Sequence, residues 1–227
     1  MFLSKCFRQT ILVDDASKDG TYLYLKSFLA KNNISNVEII LNRENMGPGF
    51  SRNVGIKKSV CEYLAFLDSD DDWHPQKIEI QIALMEKHNK LISGTAHKII
   101  SRDLLSKEKA IIYDIDKISI KTISWPKILF VTPFATPSVV IHSSLKDYLF
   151  YESIRYSEDY NLWKRITYSH VALKLDVPLT FTFKHDFISH KGTLSGNLRK
   201  MQQGNNSSFP RQLRQKTHAL KINKLWN

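Results

Sequence analysis

Acidic residues are missing from the end of this chain. Residues 187–227 contain no aspartate or glutamate, whereas Lys191, Arg199, Lys200, Arg211, Arg214, Lys216, Lys221 and Lys224 carry +8 of the net +11. The other residues hold only +3, so the positive charge belongs to a tail and not to the whole surface. Cysteine is also scarce. Cys6 and Cys61 are the only two, which gives neither a disulfide framework nor a metal-ligand spacing and reads as two reduced thiols in a reducing compartment. No apolar run approaches the ~18 residues needed to span a bilayer. Residues 1–10 mix a few apolar side chains with polar and basic ones, unlike a secretory leader. These absences argue against a disulfide-stapled secreted scaffold and against an integral membrane protein, and the expected location is the cytoplasm. There is no internal repeat.

A basic tail suits an anionic membrane surface, a nucleic acid or a plain solvated helix. No recognised nucleic-acid module is visible and aromatic residues do not interleave with the basic ones, so no nucleic-acid partner is expected. The expectation is peripheral contact with the inner face of the cytoplasmic membrane.

What the sequence does have is the ordinary 42% apolar content of a chain that can bury a large core, arranged as alternating strand and helix signals. Residues 10–13 read as a short strand, followed by a polar loop in which Ser17, Asp19 and Thr21 are candidate caps for a helix with Leu23, Leu25, Phe28 and Leu29 on its apolar face. A second strand is expected at residues 37–41. Gly47, Pro48 and Gly49 then form a loop that lets backbone approach a ligand, with Ser51 near the start of the next helix. Trp73-His74-Pro75 leads into a helix marked by Ile78, Ile82 and Met85. The order implies a doubly wound parallel sheet. Beyond residue 91 the pattern loosens: strands are expected near 95–100, 110–115, 138–141, 173–175 and 179–183, a helix within 118–130, and a helix capped by Ser157 with Leu162, Trp163 and Ile166 on its apolar side.

The densest signal is Tyr63-Leu64-Ala65-Phe66-Leu67-Asp68-Ser69-Asp70-Asp71-Asp72-Trp73. An apolar run that ends in acids reads as a buried parallel strand delivering carboxylates to its carboxyl edge, where open α/β sheets bind ligands. Asp68-x-Asp70 there suits a hard divalent cation, Mg²⁺ or Mn²⁺, which shares its coordination with water and a substrate's phosphates. An acidic turn before a helix is the plain alternative. Glu158 and Asp159 fall in the first turn of their helix, where simple complementing of the helix dipole is likewise the plain reading.

Four segments in order resemble family 2 glycosyltransferases of the GT-A fold, over roughly residues 4–200. They are Val13-Asp14-Asp15-Ala16-Ser17-Lys18-Asp19-Gly20-Thr21; Asn45-x-Gly47 with Ser51-Arg52-Asn53-x-Gly55; the run from Glu62 to Asp71 with Trp73 and Pro75; and Tyr156-Ser157-Glu158-Asp159-Tyr160-x-Leu162-Trp163-x-Arg165. The last is similar to the Glu-Asp motif in bacterial members that build surface polysaccharide or lipopolysaccharide. The resemblance implies an α/β, Rossmann-like, mostly parallel sheet flanked by helices. Residues 1–90 would form the nucleotide-sugar-binding half, residues 91–200 the acceptor half and residues 201–227 a basic tail.

The resemblance also implies roles. Asp15 would accept a hydrogen bond from the nucleotide base, and Arg52 would contact the nucleotide or its diphosphate. Asp70 would ligate Mg²⁺ or Mn²⁺ directly, with Asp68 closer to the sugar or ribose and Asp71 as a rival in the acidic run. Asp159 would be the general base and Glu158 its neighbour in orienting the acceptor, while Trp163 would pack beneath the helix. The implied reaction moves a sugar, with inversion, from a nucleotide-diphospho-sugar, a UDP-hexose, to a glycan or lipid-linked acceptor in cell-surface polysaccharide synthesis. One departure stands out. Members normally begin with a strand and a Pro-x-Tyr-Asn or similar loop well before the segment matching residues 10–13, and only nine residues precede it here. The expectation is therefore a domain lacking its first strand, with an inactive remnant or nucleotide-sugar-binding module as the alternative function.

Overall fold

The computed structural model describes residues 9–131 and 133–183. Cys6 and the basic tail lie outside the described residues. Five helices and eight strands run in the order β1 (Thr10–Asp14), α1 (Thr21–Lys31), β2 (Val37–Leu41), α2 (Pro48–Lys58), β3 (Tyr63–Ala65), β4 (Asp71–Trp73), α3 (Lys77–Lys87), β5 (Ile92–Ile100), α4 (Leu105–Lys109), β6 (Ile120–Ile123), β7 (Val139–His142), α5 (Glu158–Ser169) and β8 (Ala172–Phe183), among the described residues. The α/β class is as expected. The strand directions are not: among the described residues, four of the six pairings are antiparallel, and only β1 with β2 and β5 with β8 run parallel.

β7 makes two of the four antiparallel pairings, and β8 makes the other two, with β4 and β6. β7 enters antiparallel between β3 and β5, so β3 is not the doubly buried parallel strand that its apolar run suggested. Leu64 and Phe66 point inward, while Leu67 is 48% exposed. An uninterrupted apolar run does not reveal strand direction, because the side-chain period is two in either case. The long strands β5 and β8 share most of their length, with a break in register from Thr95 to His97. On one side of the break β7 and β6 join them; on the other, β4 pairs with β8 at residues 180–182. Residues 66–70 thus link two parts of one six-stranded sheet.

Both faces of that sheet are covered. Val139 and Ile141 pack in a cluster with Ile56 of α2 and Leu162, Trp163 and Ile166 of α5. Val140, the residue between them, packs with Ile78 and Met85 of α3. Trp163 is fully buried beneath its helix, as its apolar spacing required. The helix expected after Ser157 forms, but Ser157 sits in the left-handed region (φ 57) and its side chain makes no capping hydrogen bond. The first helix forms as well, yet none of its residues is buried, and Leu23 and Phe28 are 70% and 45% exposed. Among the described residues β1 pairs with β2 alone, and a two-stranded ribbon offers a helix little surface to cover.

Two other local expectations fail. Residues 110–115 contain no strand, and residues 118–130 contain β6 and a short 3₁₀ turn in place of a helix. The first of these segments is held by side chains instead of a ladder. Gln76 bonds both the N–H and the carbonyl of Tyr113, and Ile111 O lies 2.9 Å from His74 Nε2.

Gly94 in β5 controls the segment that leads into β7. A Cβ there would lie 2.8 Å from Phe134 Cε1 and closer still to Cδ1, so the ring rests on bare backbone. Phe134 is 3% exposed and packed on all sides. Gly94→Ala is expected to destabilise the fold by about 1–3 kcal/mol, read as a lower urea midpoint at unchanged m-value.

Candidate active site

Asp15 follows directly on the end of β1 and clamps the loop before α2. Its Oδ1 accepts from Asn42 Nδ2 (2.8 Å) and the Met46 N–H (2.9 Å), and its Oδ2 from the Gly47 N–H (2.7 Å). Gly47 adopts φ 87 at the helix entry, a conformation that glycine takes without steric cost. Asn42 also donates to Ser51 Oγ at 3.0 Å. Burial alone would raise the Asp15 pKa, but the donors from Asn42, Met46, Gly47 and Ser51 together hold it below the ordinary value. The carboxylate expected to meet a nucleotide base thus also shapes the loop that precedes Arg52.

Arg52 projects from α2 and joins the two halves of the chain. Its Nη2 lies 2.8 Å from Asp68 Oδ1 and its Nη1 2.8 Å from Glu158 Oε1. A planar guanidinium makes two such contacts in fixed directions, which a lysine cannot reproduce. Burial opposes the guanidinium charge most strongly, but Asp68, Glu158 and Asp159 together outweigh it and raise the Arg52 pKa. Gly49, earlier on the same helix, is buried beside the Arg52–Glu158 pair, where a Cβ would make ordinary van der Waals contact with Phe150 Cβ at 3.4 Å and Glu158 Cγ at 3.5 Å. Residues separated by 106 positions are brought into direct contact in this way.

Glu158 and Asp159 open α5 with different surroundings. Glu158 is 7% exposed. Burial first, and then the charge of Asp159, push its pKa above the ordinary carboxyl value, and the pull of Arg52 offsets this only in part. Asp159 is half-buried. Its Oδ2 accepts from Thr136 Oγ1 at 3.0 Å and its Oδ1 from the Tyr160 N–H at 2.7 Å. Tyr160 in turn donates its hydroxyl to Ile128 O at 2.6 Å.

Asp68 and Asp70 lie in the turn between β3 and β4, which is closed by the Asp71 N–H bonding Asp68 O at 3.1 Å. Asp71 and Asp72 belong to β4 and its ladder with β8, and Asp72 pairs with Lys109 at 2.7 Å. Asp68 and Asp70 thus lie in the turn and Asp71 in the sheet. Among the described residues, no three His, Cys, Asp or Glu side chains stand together as a metal cage. Two carboxylates in a turn, one of them 36% exposed at its side chain, fit a different arrangement, in which a hard cation is held jointly by protein and phosphate oxygens.

A family model described as "Glycosyl transferase family 2" matches residues 5–149. The chain belongs to glycosyl transferase family 2. A protein of Rickettsia bellii named an uncharacterized glycosyltransferase is 33% identical over 160 residues, covering 70% of this chain and 22% of that protein. The Escherichia coli enzyme UDP-Glc:alpha-D-GlcNAc-diphosphoundecaprenol beta-1,3-glucosyltransferase WfgD is 33% identical over 81 residues, or 36% of this chain and 30% of WfgD. The chain thus spans less than a third of these relatives. Residues 1–349 of Staphylococcus aureus TarS, in complex with UDP, superpose with a TM-score of 0.61 at 20% identity, over 81% of this chain and 53% of that one. The GT-A expectation for the fold is met by this likeness.

Several residues around this family 2 site escaped the sequence reading. Thr136 is one: it lies in a Pro-flanked stretch just before the expected strand at residues 138–141 and matches none of the four motif segments. Asn42, which links Asp15 to Ser51, carried no signal beyond its place at a strand end. Asn53 was noted for the motif, and its role is structural: it is 2% exposed, accepts the Phe150 N–H at 2.8 Å and donates to Phe150 O at 2.9 Å. That pair fixes residues 150–152 against α2, just ahead of the Glu-Asp motif.

Proposed function

We propose that this chain is a glycosyltransferase that moves a sugar, with inversion, from a nucleotide-diphospho-sugar of the UDP-hexose type to a hydroxyl of a glycan or lipid-linked acceptor in cell-surface polysaccharide synthesis. One observation carries the reading. The Arg52 guanidinium touches Asp68 of the Asp68-x-Asp70 turn and Glu158 of the Glu-Asp motif at 2.8 Å each, so the two candidate half-sites form one cluster. WfgD, named for a UDP-sugar donor and a lipid-diphosphate acceptor, and the UDP complex of TarS support the substrate classes.

Asp159 is the general base in this reading. A sugar hydroxyl is a weak nucleophile at neutral pH, and a carboxylate within hydrogen-bond reach takes its proton as the new C–O bond forms. Attack from the side opposite the diphosphate inverts the anomeric carbon. Asp68 and Asp70 would hold Mg²⁺ or Mn²⁺, which when bound neutralises negative charge on the departing diphosphate. Arg52 places a fixed positive charge beside the same group, and Glu158, buried against Arg52, holds that guanidinium in line. Asp15 sets the loop before α2 and so the position of Arg52. The basic tail provides peripheral contact with an anionic membrane, where a lipid-linked acceptor resides. No helix among the described residues is long and apolar enough to cross a membrane.

The test is release of UDP by the full chain from a panel of UDP-hexoses, with Mn²⁺ or Mg²⁺ and alpha-D-GlcNAc-diphosphoundecaprenol as acceptor. Acceptor-dependent release is expected, with loss of at least ~90% of it on chelation. Binding of a UDP-hexose without release would overturn the transfer reading in favour of a nucleotide-sugar-binding module.

A further inference from the structure

Residues 134–138, which lead into β7, are pinned from several directions. The Phe134 ring lies on the bare backbone of Gly94. The Trp73 indole N–H donates to Pro137 O at 2.7 Å, Gln81 Nε2 donates to Ser138 O at 3.1 Å, and Ser138 Oγ donates to Ala135 O at 2.7 Å. Trp73 ends the strand that follows the Asp68-x-Asp70 turn, and Gln81 belongs to α3. Contacts from three separate elements therefore hold one short stretch of backbone. The side chain it presents is Thr136, which is 3% exposed.

We propose that Thr136 is a positioning residue for the Asp159 carboxylate. Its hydroxyl donates to Oδ2 at 3.0 Å while the Tyr160 N–H donates to Oδ1 at 2.7 Å. Two donors on the two oxygens set the plane of the carboxylate, and a second lone pair on Oδ2 stays available for an acceptor hydroxyl. Tyr160 is the neighbour of Asp159 on the same helix and moves with it. Thr136 is on a different element and fixes the carboxylate relative to the sheet and the Asp68-x-Asp70 turn. Misplacement of a reacting group by about 1 Å costs on the order of 10²-fold in rate, and a hydroxyl bonded to a pinned backbone prevents such a shift. This inference rests on Asp159 being the base.

Thr136→Val removes the hydroxyl at nearly constant shape, and Thr136→Ser keeps it. In the UDP-release assay Thr136→Val is expected to lower kcat ~10- to 100-fold with donor KM unchanged, and Thr136→Ser to stay within about threefold of wild type. In an Asp159→Asn background Thr136→Val should change the residual rate by less than about twofold, since groups acting as one unit are not additive. Thermal melting of each variant checks folding. Full activity in a folded Thr136→Val, or an equal loss in Thr136→Ser, overturns the positioning role alone. An undiminished rate in Asp159→Asn, or no release by the wild-type chain, overturns the base reading and this inference with it.

Discussion

Asp159→Asn is expected to lower kcat for sugar transfer by ~10²- to 10⁴-fold while the donor KM stays within about threefold of wild type. Asparagine matches aspartate in shape, and its amide oxygen still accepts from Thr136 or from the Tyr160 N–H, so the local structure persists. What it cannot do is take a proton from the attacking hydroxyl. The loss therefore falls on the chemical step and not on donor binding, which the proposed function assigns to the Asp68-x-Asp70 turn and Arg52. Steady-state kinetics of UDP release with varied donor and a fixed, saturating acceptor separate the two. A kcat within tenfold of wild type would exclude Asp159 as the base, and a large rise in donor KM with unchanged kcat would move it to the donor side.

The second large effect concerns Arg52. Arg52→Ala leaves Glu158, whose side chain is 9% exposed, and Asp68 facing the gap without a counter-charge. Removing one partner of a buried ion pair destabilises by about 3–5 kcal/mol. For a domain of this size each 1 kcal/mol shifts the melting temperature by roughly 2–4 °C, so a fall on the order of 10 °C is expected near neutral pH.

The pH dependence has a defined sign. Burial already holds the Glu158 pKa above the ordinary 4.5, with Asp159 adding to the shift, and Arg52 is among the influences that oppose it. A carboxyl raised in the folded state contributes stability that is fully present below its unfolded pKa and is lost as pH rises through the folded value. Without Arg52 the folded value rises further. The deficit of the variant should thus be greatest at neutral to alkaline pH and shrink on acidification towards the ordinary carboxyl range. Melting curves of wild type and variant between pH 5 and 8, as an approximate window set by these directions, test this, and Glu158→Gln placed on Arg52→Ala should recover part of the loss. A deficit independent of pH would mean that the guanidinium serves packing against Phe150, 5.5 Å from the ring centroid, more than charge.

These variants act on a site that could be read only in pieces from the chain. Val37–Leu41 appears as expected from its β-rich run between polar breaks. α5 follows its apolar spacing closely enough that Trp163 is correctly buried. Periodicity of this kind reports which face of an element meets the core, because burial of apolar surface dominates the local choice. It does not report the neighbour on a strand's edge. β3 met an antiparallel partner from residues 139–142, the long strand β8 continued through Pro178 where two strands were expected, and among the described residues α1 met only a two-stranded ribbon and buried none of its residues.

For the site the division is similar. The residue types and their spacing singled out Asp68-x-Asp70 and Glu158-Asp159 as the candidate carboxylates, since hard cations and proton transfer demand such groups wherever the fold places them. Only the tertiary structure decided that Arg52 joins both sets, that Asp71 belongs to the sheet and Asp68 and Asp70 to the turn, and that Thr136, from a Pro-flanked stretch, donates to Asp159. Long-range hydrogen bonds and ion pairs join residues as much as 106 positions apart, and no local pattern in a chain encodes a contact whose two halves are positioned by separate elements packing on a shared core.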